Sequence, residues 1–489
     1  MLNNDVKNKI YAGVLGKSIG VYMGRPVEGW SYEAIQSRFG EVDRYVNNDL
    51  NIPLIVADDD ISGTFGFFRA MEDFDYKKDL SAKDVGKTWL NYIVEDKSIL
   101  WWGGLGRSTE HTAYLRLKNG IDAPLSGSVK YNGETLAHQI GAQIFMDAFA
   151  LMCPSNPEKA AYYVKQAASV SHDGMAVEAA CYLAAIEASA FDESDINKLL
   201  DSNFKYVKNL QLRNMIDDVR NICAKRNRNS WREARFDIAQ KYGYDKFNGP
   251  CHIIPNHALV IASLLLAEDS FYDSITIASS AAWDTDCNAG NVGCINGIRL
   301  GLKSINEKPF LRDEVADRLL VVTSDGGSCL SDTVIETRKI VQAAEAINFG
   351  TPVKKESRFD FSYPNSVQGF SYCPYVDKGI FNKNKTTFKS LKSDNNPGLD
   401  ITCKNNISIS TPTFIDFSEL AKNFSTIASP TLYEGQDISV KLTSSNESEM
   451  SAYILYYDCD QNIQYLEIEK LKLIKGENKY TAMFLTNEW

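Results

Sequence analysis

The sequence lacks long apolar runs, an excess of basic residues and an apolar N-terminal segment. No run of about 18 apolar residues occurs in the 489-residue chain, so we predict no transmembrane helix and no membrane partner. Acidic residues (63) outnumber Lys and Arg (52), and the net charge of −11 argues against nucleic-acid binding, which needs clustered basic side chains. Residues 1–10 contain Asn, Asp and Lys, so we expect no signal peptide.

Paired cysteine motifs are also lacking. The ten cysteines include no CxxC pair and no zinc-like spacing, and Cys181 and Cys294 fall within apolar helical runs. Buried, reduced thiols explain this pattern better than a disulfide framework does, which favours a cytoplasmic location. The composition, with 44% hydrophobic and 24% charged residues, is typical of a globular protein.

The hydrophobic pattern changes near residue 350. Before it, apolar residues recur at helical spacing, as at Val85 and Trp89 or Ala160 and Val164. After it, short runs of β-forming residues alternate with Asn, Gly and Ser turns. Because 489 residues exceed a single core, we predict a mainly α protein with a helical domain over residues 1–350 and a smaller β-rich domain, a sandwich, over residues 356–489.

Two acidic clusters lie far apart in the chain, at Asp58–Asp60 and at Asp284-Thr285-Asp286. Taken alone, each is explained by carboxylates that offset the unpaired amides at a helix N-terminus. If the fold brings them together, carboxylates at that density require a cation, since like charges cannot all stay ionised. Oxygen ligands select a hard ion, namely Mg²⁺, Ca²⁺ or Mn²⁺. The pair therefore predicts a metal site.

Glycines follow the second acidic cluster at a spacing of three or four residues. Gly290, Gly293, Gly297 and Gly301 would form one smooth face on a helix. Each glycine costs a helix about 1 kcal/mol relative to alanine. This face therefore indicates that another backbone approaches the helix closely.

Four motifs follow one another along the chain: a glycine-rich helix that runs into Glu28, the acidic run at residues 57–60, Ser171-His172 before an Ala-rich helix, and the Asp-Thr-Asp motif at residues 284–286 with its glycine face. In this order they resemble the motifs of the ADP-ribosylglycohydrolase family. The resemblance spans about 340 residues of the sequence. It implies a helical fold with a cleft that holds a dinuclear Mg²⁺ centre, in which Mn²⁺ is an alternative ion.

The resemblance also implies site residues. The implied catalytic residues are Glu28, Asp59 and Asp284, and the implied metal ligands are Glu28, Asp58, Asp59, Asp60, Asp284, Asp286 and Cys287. The chain departs from the family pattern where Ala57, Asp60 and Cys287 stand at threonine positions. Cysteine is a soft ligand and suits Mg²⁺ poorly, whereas Asp60 offers an oxygen. Either both ions remain with rearranged ligands, or one ion is lost.

Two further segments are candidates for substrate binding. Trp101, Trp102, Gly103 and Gly104 combine aromatic rings with a glycine pair, which suits a loop that stacks on an adenine or a sugar. A buried aromatic hinge explains the same pattern. His172 would position a phosphate or ribose, although a helix-capping or core histidine is the competing interpretation.

Three functions remain open on the sequence. The first is a Mg²⁺-dependent hydrolase that cleaves a glycosidic bond of an ADP-ribosyl or related ribosyl or sugar conjugate, with a small-molecule or ADP-ribosylated substrate. The second is a non-catalytic protein that binds a nucleotide or glycan on the same scaffold. The third is a carbohydrate-active hydrolase, which a sugar-binding β domain would favour. No particular oligomeric state is implied.

Overall fold

A computed structural model describes residues 1–97, 103–353, 357–372, 386–391, 398–403, 408–415, 426–460 and 462–483. The region before Gly350 is built of α-helices and short turns, as predicted. The helices are α1 Asn4–Gly24, α2 Tyr32–Phe39, α3 Asp59–Phe68, α4 Ala70–Asp73, α5 Ala82–Tyr92, α6 Thr109–Lys118, α7 Val129–Asn132, α8 Glu134–Ala137, α9 Gly141–Ile144, α10 Asp147–Leu151, α11 Pro157–Ala168, α12 Gly174–Ser189, α13 Ile196–Asn203, α14 Leu210–Cys223, α15 Trp231–Tyr242, α16 Ile253–Leu266, α17 Phe271–Ser280, α18 Thr285–Ile305, α19 Pro309–Asp313 and α20 Thr333–Phe349.

Helices α1 and α18 pack antiparallel at the centre of the helical region. A Cβ atom added at Gly293 would lie 2.1 Å from the carbonyl oxygen of Gly16, and one added at Gly297 would lie 2.2 Å from that of Ala12. Such distances leave no room for a side chain, so the two backbones are in direct contact. This confirms the close approach that the glycine face predicts.

Gly301 does not share this role. No atom lies within 4 Å of a Cβ added there, and its φ of 71° is a left-handed conformation that glycine adopts without strain. The helical path of α18 is interrupted at this residue. The prediction that all four glycines line one packed face is therefore wrong for Gly301.

The antiparallel pairing determines where the two helix ends meet. Gly24 ends α1, and a Cβ atom added there would lie 2.3 Å from the carbonyl oxygen of Thr285, the first residue of α18. The segment that leaves α1 and contains Glu28 therefore starts beside the second acidic cluster. Helix α3 packs against α1 and α18, which brings the first acidic cluster to the same place.

The helical region also contains one short antiparallel pair of strands, β1 Arg318–Leu320 and β2 Leu330–Asp332. Sequence reasoning expected helices alone here. The two strands are almost wholly buried and only three residues long each, too short for a period-2 pattern to be visible in the sequence.

The C-terminal region is built of strands, which confirms the prediction that the chain is rich in β-structure after residue 350. They are β3 Ser371–Tyr372, β4 Thr386–Leu391, β5 Gly398–Cys403, β6 Ile409–Ser410, β7 Asp437–Ser444, β8 Ser448–Tyr457, β9 Ile463–Leu473 and β10 Gly476–Met483. Four antiparallel ladders pair β3 with β6, β4 with β5, β7 with β10 and β8 with β9. The assembly of these ladders into a sandwich stays a prediction, as do the domain limits.

None of the helices in the described parts of the chain has the length and apolarity needed to cross a membrane.

Candidate active site

The two acidic clusters and Glu28 converge on one cleft, as the sequence led us to expect. Candidate ligand atoms of Glu28, Asp284 and Asp286 all lie within 4.8 Å of one another, and so do those of Asp60, Asp286 and Cys287. Asp286 belongs to both groups and therefore joins them. The backbone N–H of Gly29 donates to the carbonyl oxygen of Trp283 at 3.1 Å, which ties the Glu28 segment to the second cluster.

Asp58 differs from its neighbours because both of its carboxylate oxygens have partners. Oδ1 accepts from the backbone N–H groups of Asp60 and Ile61 at 3.0 and 3.3 Å, which caps α3. Oδ2 lies 2.9 Å from Nε of Arg25, the residue that follows α1. Asp58 is thus a buried N-cap paired with a cation.

The remaining carboxylates repel one another in a poorly solvated place. Burial, reinforced by the charge of Glu28, raises the pKa of Asp284 to about 7. Burial and neighbouring carboxylates also raise the pKa values of Asp59, Asp60 and Asp286 well above the ordinary range. The charge of Asp286, followed by burial, does the same to Glu28. These groups release their protons readily only beside a compensating positive charge.

The donor set fits a hard divalent cation. Oδ2 of Asp60 is buried and has no hydrogen-bond partner in the described structure, a costly state that ligation would relieve. Glu28, Asp284 and Asp286 offer carboxylate oxygens alone, the ligands that Mg²⁺ and Mn²⁺ prefer. Cys287 is less suitable, since its thiol donates to Oδ1 of Asp60 at 3.3 Å and burial raises its pKa well above the usual value.

One wall of the cleft is aromatic and carries a cation. Trp283 stacks on Tyr244 with ring centroids 5.1 Å apart, and the guanidinium of Arg235 lies 5.2 Å from the Trp283 ring and 4.2 Å from the Tyr32 ring. Nε of Arg235 donates to the carbonyl oxygen of Ala281 at 3.2 Å. Within the described residues no carboxylate pairs with this guanidinium, and burial lowers its pKa. The wall therefore presents an oriented positive charge between two rings.

The backbone around Trp283 is strained. Ala282 and Trp283 have φ values of 67° and 66°, a left-handed conformation that costs a non-glycine residue about 1–3 kcal/mol. The conformation presents Trp283 to the cleft immediately before Asp284. Tyr244 is held in turn by Nδ2 of Asn256, which donates to its hydroxyl at 2.8 Å. The wall is rigid because several elements fix it.

The opposite wall combines apolar residues with one buried acid, Glu110. Ile140, Ile144 and Phe145 line this side, and Glu110 lies at the start of α6. Burial raises the pKa of Glu110 to about 7. Oε1 of Glu110 lies 3.6 Å from Nε2 of His172, whose pKa burial lowers to about 3, so the histidine is neutral. Near neutral pH, a substantial fraction of Glu110 is therefore protonated and can deliver a proton to the cleft.

The raised pKa of Glu110 predicts how its replacement changes stability with pH. A carboxyl whose pKa is higher in the folded than in the unfolded state stabilises below the unfolded pKa and loses that contribution as the pH rises through 7. Glu110→Gln, which stays neutral, should therefore gain stability relative to wild type between pH 5 and pH 8, by about 3 kcal/mol at most. Urea unfolding of metal-free protein at both pH values measures this difference. Parallel pH profiles for the two proteins would contradict the assignment.

Of the predicted substrate-binding residues, the structure describes Gly103, Gly104 and His172. Trp101 and Trp102 fall outside the described residues. Gly103 and Gly104 precede α6, where the N–H of Gly104 donates to Nδ1 of His111 at 3.0 Å, and neither is among the residues that line the cleft. His172 is fully buried behind Glu110, and its Nδ1 lies 2.7 Å from Oγ of Ser171. Its Nε2 lies near Glu110, which lines the cleft.

Sequence reasoning missed Arg25, Glu110, Arg235 and Tyr244 as site residues. Arg25 had a local signal, because it stands within the glycine-rich motif that runs into Glu28. The other three stand in amphipathic or turn segments whose composition is ordinary, so their position at the cleft follows from tertiary contacts alone.

Comparisons with known proteins identify one family model and one similar solved structure. The family model described as ADP-ribosylglycohydrolase matches residues 2–332. A solved structure titled "ADP-ribosylglycohydrolase-related protein complex" is similar at 16% sequence identity and a TM-score of 0.48, over 71% of this chain and 100% of that chain. No curated protein matches the sequence.

Proposed function

The chain belongs to the ADP-ribosylglycohydrolase family and is thus a glycosidic-bond hydrolase, and from this premise we propose that it uses Mg²⁺ to hydrolyse ADP-ribosyl conjugates. The observation that carries the proposal is the separation of negative and positive charge within the cleft. Carboxylates of Glu28, Asp284 and Asp286 gather at its base, while Arg235 and its two rings present a cation on the wall. A substrate with a ribosyl group at one end and phosphate at the other matches both charges.

Different side chains would have different roles in hydrolysis. Bound at Glu28, Asp284 and Asp286, Mg²⁺ would supply a Lewis acid that polarises oxygen and lowers the pKa of water. The carboxylates favour the transition state, because positive charge develops at the anomeric carbon. Asp59 lines the cleft and is a candidate base for the attacking water, and Glu110 on the opposite wall is a candidate acid for the leaving group.

The wall with Arg235 supports an anionic, ring-containing substrate. The guanidinium is held by Ala281 and lies over two rings, so little side-chain entropy is lost when it pairs with phosphate. Trp283 and Tyr244 offer flat apolar surface to a base or sugar. The cleft volume of about 700 Å³ is large enough for a nucleotide-sized ligand.

The function is tested by the release of ADP-ribose from arginine- or serine-ADP-ribosylated peptides. We expect turnover with Mg²⁺ and its loss with EDTA. Arg235→Met should raise the KM for these peptides about 10- to 100-fold, since a charge-assisted hydrogen bond contributes about 1.5–3 kcal/mol. The KM for 4-nitrophenyl riboside, which carries no phosphate, should stay within a factor of about two.

A matched control is available on the same helix. Arg232 pairs with Glu41 outside the cleft, so Arg232→Met should leave both KM values unchanged. Equal KM increases for both substrates would contradict the phosphate contact. No turnover of any ribosyl donor by metal-loaded protein would favour the non-catalytic binding function instead.

A further inference from the structure

Arg25 lies among the carboxylates of the cleft and is held there by the fold. It follows α1 directly and begins the turn Arg25–Val27. Gly24 and Thr285 are in backbone contact, so this turn cannot move away from the start of α18 without separating the two central helices. Nε of Arg25 lies 2.9 Å from Oδ2 of Asp58, and both side chains are largely buried. The ion pair is therefore built into the helix packing.

We propose that Arg25 acts as a resident cation of the cleft, so that the protein binds one divalent ion rather than two. The proposal rests on the metal-dependent function proposed above. It concerns the number of ions and the residue that replaces one of them.

The contacts of Asp58 are the first support. Its Oδ1 caps α3 through two backbone N–H groups, and its Oδ2 pairs with Arg25. Ligation of an ion by Asp58 would compete with the helix cap or with the Arg25 guanidinium, which lies in a largely buried place. Asp58 is therefore not free to bind a metal ion.

Asp60 and Cys287 give the second support. The Cys287 thiol donates to Oδ1 of Asp60 at 3.3 Å, so this side of the cleft combines a sulfur donor with a partly used carboxylate. Mg²⁺ and Mn²⁺ bind thiols weakly compared with oxygen. A second hard ion on this side would have to draw on Asp59, the free Oδ2 of Asp60 and a share of Asp286, because Asp58 is engaged by Arg25 and Cys287 offers sulfur in place of oxygen.

The charge environment of Arg25 agrees with both contacts. The carboxylates of Asp58, Asp286, Glu28 and Asp59 all act on its positive charge. The guanidinium therefore lies within the field of both acidic clusters. The oxygens of Glu28, Asp284 and Asp286 lie within 4.8 Å of one another and offer a single ion three carboxylate ligands.

The number of bound Mn²⁺ ions tests this proposal without substrate. Metal-free full-length protein is titrated with Mn²⁺ by calorimetry, and the loaded protein is examined by electron paramagnetic resonance. We expect one ion per chain and the six-line spectrum of an isolated Mn²⁺. Arg25→Met combined with Cys287→Thr should bind two ions and show the additional splitting of a coupled pair.

Controls separate the charge of Arg25 from its packing. Arg25→Lys keeps a cation and should bind one ion, as should Arg235→Met, which removes a cation from the same cleft without touching Asp58. Two coupled ions in the wild-type protein would overturn the proposal and leave the proposed function intact. No bound ion would overturn both. If the double variant is folded by circular dichroism and still binds one ion, Arg25 is not the replacing cation.

Discussion

Asp286→Asn is expected to weaken Mn²⁺ binding by about 100-fold or more and to lower turnover by roughly 1000-fold. Asp286 belongs to two groups of candidate ligands, one with Glu28 and Asp284 and one with Asp60 and Cys287. Asparagine keeps the shape and the oxygen that accepts from the N–H of Cys287 at 3.0 Å. A loss of Mn²⁺ binding and turnover would therefore reflect the missing charge and ligand oxygen, and not a change of shape. Calorimetry with Mn²⁺ and the ADP-ribose release assay measure the two effects.

The stability of the same variant distinguishes lost ligation from unfolding. In metal-free protein, burial and repulsion by neighbouring carboxylates raise the pKa of Asp286, so its ionised form is unfavourable in the folded state. Asp286→Asn removes that charge and should unfold at a higher temperature than wild type when EDTA is present. Asp79→Asn, which alters an exposed carboxylate, should change neither metal binding nor Tm. Unchanged Mn²⁺ binding by Asp286→Asn would remove Asp286 from the metal site.

Gly293→Ala is expected to destabilise the helical region by about 3 kcal/mol or more. The added methyl carbon would lie 2.1 Å from the carbonyl oxygen of Gly16, and the contact is between two backbones. Neither side can rotate away, so α1 and α18 must separate. Alanine favours a helix over glycine by about 1 kcal/mol, which is too little to offset the clash. Urea unfolding of the metal-free proteins measures the difference.

The cleft should respond to the same substitution. Separation of α1 and α18 moves the Glu28 segment away from Asp284, so Gly293→Ala should also weaken Mn²⁺ binding although it lies outside the ligand groups. Gly327→Ala is the control, because Gly327 is exposed and a Cβ atom there would meet its nearest neighbour at an ordinary 3.5 Å. Equal stability of the two variants would show that the helices tolerate a wider spacing.

The local spacing of residues was sufficient to predict much of the fold. The helical periodicity around Trp89 and Val164 corresponds to α5 and α11, because an amphipathic helix is encoded by the residues that form it. The glycine face of α18 likewise has a local cause, since a helix that carries Gly290, Gly293 and Gly297 must be packed closely to be stable. Gly301 shares the spacing but not the role, because the helical path of α18 is interrupted at this residue, and spacing alone does not reveal such an interruption.

The sequence by itself determined the carboxylates of the cleft, the glycine contact between its central helices and the family to which the chain belongs. These features depend on residue types at short spacing, which the chain carries locally. The tertiary structure alone decided the contacts and the pKa shifts of the cleft residues. Arg25 pairs with Asp58, Glu110 acquires its raised pKa and Arg235 meets Trp283 because distant segments are packed together. Charge and burial act over a few ångströms in space, and distance along the chain does not encode them.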